Sequence, residues 1–295
     1  MAAGDLGHRV SLRGVQPRLL QQVPRRSERN AGILRSAQND DIELLILEIS
    51  CFEVTSVQER SRESVWERLR GRLVVSCQAS EGDPLDDLGT LVRIARSVLR
   101  GGAGGLRAEG AERVAAFRGI TELPIVGIVK RFDANGDVYI TPDFESARAV
   151  SEAGADVVAL DCTARRLKET EPWPGLIQRI QLELGRMVLA DVASVEDAFA
   201  AEEAGADAVA TTLYGYTAET AGVRTPSWEL VERMIARVKV PVVVEGHITR
   251  PEEVWKAFEL GAWAVVVGSA ITRPETITAR FAEAARGIGG FGIAD

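Results

Sequence analysis

The sequence predicts an α/β fold, a single eight-stranded parallel (β/α)8 or TIM barrel preceded by a poorly structured N-terminal extension. Three observations carry this. A Gly-Ala pair recurs just before an apolar run, at Gly102-Ala103, Gly154-Ala155, Gly205-Ala206 and Gly261-Ala262, with spacings of 52, 51 and 56 residues. A second set of apolar runs falls between these, so each period of about fifty residues holds two strands and two helices. The runs are almost continuously apolar, as strands buried on both faces must be. The length of 295 residues suits two average domains or one large barrel. An open doubly wound sheet is the structural rival, but equal repeats without a glycine-rich fingerprint after the first strand favour closure.

Composition narrows the function classes. The chain is 46% hydrophobic and 26% charged, ordinary for a globular protein. Its net charge of −8 argues against a nucleic-acid partner. An anion can still be held by backbone amides and a few arginines. Cys51, Cys77 and Cys162 are too few for a disulfide framework and point to a reducing, cytoplasmic compartment. No apolar run approaches the roughly 20 residues of a membrane span.

The elements follow in order. Residues 1–65 form the extension and residues 66–295 the barrel domain. Between Met1 and Gln38 there are seven arginines against two acids, without apolar periodicity. That is the character of a transit peptide or a disordered tail. Its stretch RSERNAGILRSAQND resembles translated intergenic repeat, so a start set too far upstream is a third reading; no function is placed here. The first strand, LVVSCQA (73–79), ends in Gln78, and GGLRAE (104–109) brings Arg107. PIVGIVK (124–130) ends in Lys130. DVVALDCT (156–163) ends in Asp161, which with Thr163 is placed to cap the next helix. RMVLADV (186–192) carries Asp191, and DAVATTLYG (207–215) carries Thr211 and Thr212. PVVVEGH (241–247) carries Glu245, and WAVVVGSA (263–270) ends at Gly268-Ser269. Helical stretches with a 3.6-residue period separate them, for example VEDAFAAEEA (195–204) and EEVWKAFEL (252–260). Each Gly-Ala pair sits where a helix ends, with glycine taking the left-handed conformation.

Barrels of this kind build their sites at the C-terminal ends of the strands, so these residues converge on one mouth. The last two loops add a second signal. Gly246-His247 and Gly268-Ser269 follow their strands directly, and both lead into ITRPE (248–252 and 271–275). Thr-Arg-Pro-Glu is a capping box with proline at the first helical position. Glycine amides at such helix starts also suit a phosphate, with Arg273 adding a charge-assisted contact. A metal is not expected, because the barrel has one histidine, His247, and no thiolate pair at ligand spacing. His247 reads as a supporting or surface residue. Lys130 and Glu245 are the acid–base candidates, four strands apart and so facing each other across the mouth. That separation suits removal of a proton from one face of a carbon and its return to the other. Lysine's reference pKa of about 10.4 must fall for it to act as a base, through burial or through Arg107 and Arg131. A glutamate at an apolar strand end is expected to rise instead. A plain Lys130–Glu245 salt bridge is the alternative.

From Leu73 to about Ala285 the chain resembles the N-acylglucosamine-6-phosphate 2-epimerases. The matching motifs are VSCQA (75–79), GLRAEG (105–110), PIVGIVKR (124–131), VYITP (138–142), VALDCT (158–163), LADV (189–192), TTLYGYT (211–217), VVEGHIT (243–249) and VVGSAITRP (266–274). The resemblance implies an isomerase of amino-sugar and sialic acid catabolism that interconverts N-acetylmannosamine-6-phosphate and N-acetylglucosamine-6-phosphate. It implies catalytic Lys130 and Glu245, with Gln78, Arg107 and Asp191 holding the sugar. Thr212 and Tyr214 belong to the same substrate site, while Gly246, Gly268, Ser269 and Arg273 hold the 6-phosphate. It further implies an open-chain substrate whose C2 proton is acidified by the C1 carbonyl, no added cofactor, and a homodimer. Two positions depart from the family pattern: Gly268-Ser269, where Gly-Gly is more usual, and His247 after the glutamate motif. Residues 1–65 have no counterpart. Another phosphate-binding barrel enzyme and a catalytically silent phosphosugar-binding protein are the remaining readings.

Overall fold

The structure, a computed structural model, describes residues 65–79, 82–168 and 171–288. The expectations for residues 1–64, including Cys51, lie outside these. Among the described residues ten strands follow in chain order: β1 (Arg72–Ser76), β2 (Gly105–Glu109), β3 (Ile125–Ile128), β4 (Lys130–Phe132), β5 (Val138–Ile140), β6 (Val157–Asp161), β7 (Met187–Asp191), β8 (Ala208–Ala210), β9 (Val242–Glu245) and β10 (Ala264–Val267). Eight of them close a barrel in the order β1-β10-β9-β8-β7-β6-β3-β2. Every neighbouring pair is parallel, and β1 joins both β2 and β10. The remaining two, β4 and β5, form a separate antiparallel hairpin.

The repeat signal has the cause the sequence suggests. Gly102, Gly154, Gly205 and Gly261 all have positive φ, between 95° and 106°, where a helix turns into the next strand. A side chain is strained there, so glycine recurs. Helices start on side-chain caps: Asp87, Asp143, Ser194 and Ser227 each accept from the backbone three residues on. The helix Pro251–Glu259 has proline at its first position as expected. Its capping acid is Glu253 rather than Glu252, accepting from the Thr249 and Arg250 amides at 2.6 and 3.1 Å.

Alternation along each strand sorts side chains into two cores. Val75, Leu106, Ile125, Val158, Leu160, Val188, Ala190 and Val209 face the helices. Val74, Val126, Val157, Ala159, Met187, Leu189, Ala208, Val243, Ala264 and Val266 fill the interior. The interior is floored by Trp66 and Leu69, 7% and 1% exposed, and the Trp263 indole donates to the Trp66 carbonyl at 2.8 Å. Two boundaries differ from the sequence expectation. β3 stops at Ile128, so Lys130 sits past the strand at the base of the hairpin. β8 stops at Ala210, and Thr211–Leu213 turn into a 3-10 helix. Among the described residues no helix is long and apolar enough to cross a membrane.

Candidate active site

The inward-facing set of each strand continues past the apolar layers into polar residues. Val74 is followed by Ser76, Gly105 by Arg107, Leu189 by Asp191, Val243 by Glu245 and Val266 by Gly268, each two residues on. Together they make the upper layer of the barrel, and Ser76, Arg107, Glu245 and Gly268 line a cavity of about 670 Å³. Gln78, Arg107, Lys130, Thr212, Glu245, Gly246, Gly268 and Ser269, all expected from the sequence, share its wall.

Arg107 is the hub. It is 1% exposed, and its guanidinium forks onto Asp191 at 2.6 and 3.2 Å while one nitrogen lies 2.8 Å from Glu245 Oε2. Burial opposes its charge, but the attraction of Asp191 and Glu245 prevails and holds it cationic. The Thr212 hydroxyl lies 2.6 Å from Asp191 Oδ1 and 3.2 Å from Glu245 Oε2. Its single proton can serve one carboxylate at a time. Thr211 fixes the end of β9, its hydroxyl donating to the Glu245 carbonyl at 2.8 Å and accepting from the Glu245 amide at 3.1 Å.

Burial pushes the Glu245 carboxyl up from the ordinary 4.5 to about 7; Arg107 opposes the rise and Asp191 adds to it. Lys130 moves the other way. Burial lowers it, Glu109 opposes, and the positive charges of Arg107 and Arg273 lower it further. Arg131, the other candidate for that role, turns away and pairs with Asp143 at 2.6 Å. The salt bridge considered between Lys130 and Glu245 is not formed: Lys130 approaches Glu109 at 4.0 Å and Glu245 pairs with Arg107. Cys77 is no nucleophile, since burial pushes its thiol up to about 12.

Three expected residues lie elsewhere. Asp191 is wholly buried beneath the cavity with both oxygens engaged, so it meets Arg107 and Thr212 rather than the cavity. Tyr214 lines a small adjoining pocket, and Tyr216 takes the position on the main wall. Arg273 is 3.9 Å from Asp83, while Arg224 and Arg280 line the cavity. Tyr216 was legible in TTLYGYT as the second aromatic; Arg224 and Arg280 had no signal in spacing. His247 has φ +59°, donates from Nε2 to the Tyr214 carbonyl at 2.9 Å and stacks on Tyr216 with ring centroids 5.5 Å apart. Asp161 accepts from the Thr163 amide and hydroxyl at 3.0 and 2.6 Å, as a cap does. Among the described residues no group of three or more His, Cys, Asp or Glu is placed to hold a metal.

Residues 91–287 match the pattern of a family described as "Putative N-acetylmannosamine-6-phosphate epimerase". A curated relative from Cutibacterium acnes, described as a putative N-acetylmannosamine-6-phosphate 2-epimerase, is 44% identical over 220 residues, 74% of this chain and 95% of its own length. One of the same description from Clostridioides difficile is 40% identical over 218 residues, covering 74% and 97%. Among solved structures, the N-acetylmannosamine-6-phosphate 2-epimerase from Clostridium perfringens superposes with a TM-score of 0.71 at 37% identity, covering 74% of this chain and 95% of that one. Thiamine phosphate pyrophosphorylase from Pyrococcus furiosus, at 21% identity and a TM-score of 0.50, shares the fold alone.

Proposed function

The chain belongs to the N-acetylmannosamine-6-phosphate epimerase family, and from that premise we propose that it interconverts N-acetylmannosamine-6-phosphate and N-acetylglucosamine-6-phosphate at C2, in the cytoplasm, within amino-sugar catabolism. One observation carries the reading. Lys130 and Glu245 share one cavity, are not paired with each other, and are each moved toward the neutral form that proton exchange requires. In the open-chain sugar, the neutral amine of Lys130 takes the C2 proton, and the C–H electron pair moves toward the C1 carbonyl oxygen as an enolate. Glu245, in its acid form, returns a proton to the opposite face; the reverse reaction exchanges the roles. Arg107, cationic and fixed by Asp191, offers a preorganised positive charge beside the developing anion. Gln78 suits a sugar hydroxyl, and the loops at Gly246 and Gly268-Ser269 suit the 6-phosphate, with Arg280 on the same wall donating to the Thr249 carbonyl at 3.3 Å. No step requires an added cofactor.

The test is proton NMR of N-acetylmannosamine-6-phosphate in D₂O with wild type and Lys130→Ala. Deuterium entering C2 with conversion to the gluco epimer, lost in the variant, is the expected result. Binding without exchange or conversion leaves a silent phosphosugar-binding protein instead. A homodimer is part of the same reading. The helix Pro274–Ile288 buries none of its described side chains and leaves Phe281 74% exposed, and Trp255 is 64% exposed; apolar surface of this kind marks a partner face. A sedimentation mass equal to one 31.8 kDa chain would overturn it.

A further inference from the structure

Beside the cavity a chain of half-buried charges runs away from Lys130. Glu109 is the next inward position on β2 after Arg107. Its Oε2 lies 4.0 Å from Lys130 Nζ and 3.4 Å from Arg113 Nη1, so two cations address one oxygen. Arg113 is held in turn by Asp86, 2.6 Å from its other terminal nitrogen. The four side chains are 22–26% exposed. Asp86 belongs to the loop after β1, the same loop from which Asp83 approaches Arg273 at 3.9 Å. We propose that Glu109 is a positioning residue for Lys130, and that Arg113, pinned by Asp86, sets how strongly Glu109 holds the ammonium.

The physics is competition for one carboxylate. Glu109 favours the charged lysine and orients Nζ; Arg113 draws charge from the shared oxygen and weakens that hold. The other charged groups facing Lys130 are Arg107 and Arg273, which disfavour its charge, and Glu245, which favours it. None of these changes when Glu109 or Arg113 is altered, so the two substitutions must act in opposite directions. The idea rests on Lys130 as the proton carrier.

Two readouts on the full chain separate that premise from the proposal. The first is the pH profile of kcat/KM for the epimerisation. The second is the pH dependence of Lys130 acetylation by acetic anhydride, followed by peptide mass spectrometry, which reports the amine whether or not it is catalytic. With Glu109→Gln both profiles should move to lower pH by about half a unit, the size expected of a pair a quarter exposed. With Arg113→Met both should move to higher pH by a similar amount. The double variant should match Glu109→Gln alone, because Arg113 acts only through Glu109. Glu109→Asp should recover part of the shift but raise KM less than it lowers kcat. Acetylation profiles that stay unmoved, or that move the same way in both single variants, overturn the proposal. Acetylation that shifts while kcat/KM does not keeps the proposal and removes Lys130 from the proton transfer.

Discussion

Replacing Glu245 by glutamine should stabilise the protein and disable it, and the gain should depend on pH in a calculable way. A carboxyl that titrates near 4.5 when unfolded and about 7 when folded contributes its stability fully below pH 4.5 and loses it as pH rises through 7. At about 1.4 kcal/mol per unit, the loss is about 1 kcal/mol at pH 5 and about 3 kcal/mol at pH 8. Glutamine stands in for the neutral acid at every pH, so the variant escapes this loss. For a barrel of this size about 3 kcal/mol corresponds to about 6–12 °C in Tm. Thermal unfolding of both proteins from pH 5 to 8 measures it, and titrating groups that do not interact with Glu245 cancel in the difference. The Tm gap should open in favour of the variant between pH 5 and 7 and then level off. A gap independent of pH, or a wild type more stable at pH 8, refutes the argument that burial rather than the Arg107 pairing dominates at Glu245. The same variant divides the chemistry: with Lys130 intact, C2 should still exchange with D₂O while epimerisation falls by about 10²–10⁴-fold. Epimerisation persisting near the wild-type rate means that Lys130 serves both faces.

The aromatic wall gives a further expectation. Gly215 has φ +93°, and a Cβ there would meet His247 Nε2 at 2.5 Å. Gly215→Ala should therefore cost about 1–3 kcal/mol and displace the His247–Tyr216 stack; urea unfolding together with KM measures both, and an unchanged KM would show that the stack does not shape the substrate site.

How much of this was legible in the sequence depends on what each element does with its side chains. Parallel strands covered on both faces write themselves as apolar runs, so all eight were found, and the glycines at positive φ fixed their period. Arg107 and Glu245 were picked out as polar residues at the C-terminal ends of their strands, where the inward face continues past the apolar layers. Burial depth was not legible: Asp191 ends its strand as Glu245 does, yet its neighbours Arg107 and Thr212 seal it below the cavity. Glu109 was in view within GLRAEG, on the same face as Arg107, but nothing local says that the next strand's lysine bends toward it. Arg280 reaches the cavity from a helix more than a turn beyond the last strand, a contact that only tertiary structure makes.

Lys130 shows most clearly what the pattern hides. The run PIVGIVK reads as one strand, but pairing with β6 involves Val126 and Gly127, and the lysine opens a hairpin instead. That hairpin is clamped at its root, where the Thr141 amide donates to the Val129 carbonyl at 2.6 Å and the Val129 amide donates to the Thr141 hydroxyl at 3.2 Å. Thr141 has φ +46° and is fully buried; such a conformation costs about 1–3 kcal/mol and persists where its surroundings enforce it. The second leg is held by Arg165, which donates to the Val138 carbonyl, pairs with Asp161 Oδ2 at 2.7 Å and lies 4.3 Å from the Tyr139 ring centroid. Asp161 thus has a structural partner at its strand end. Through Arg165 it holds the hairpin whose first residue is Lys130, and a rigid hairpin limits where that flexible four-carbon side chain can reach in the cavity.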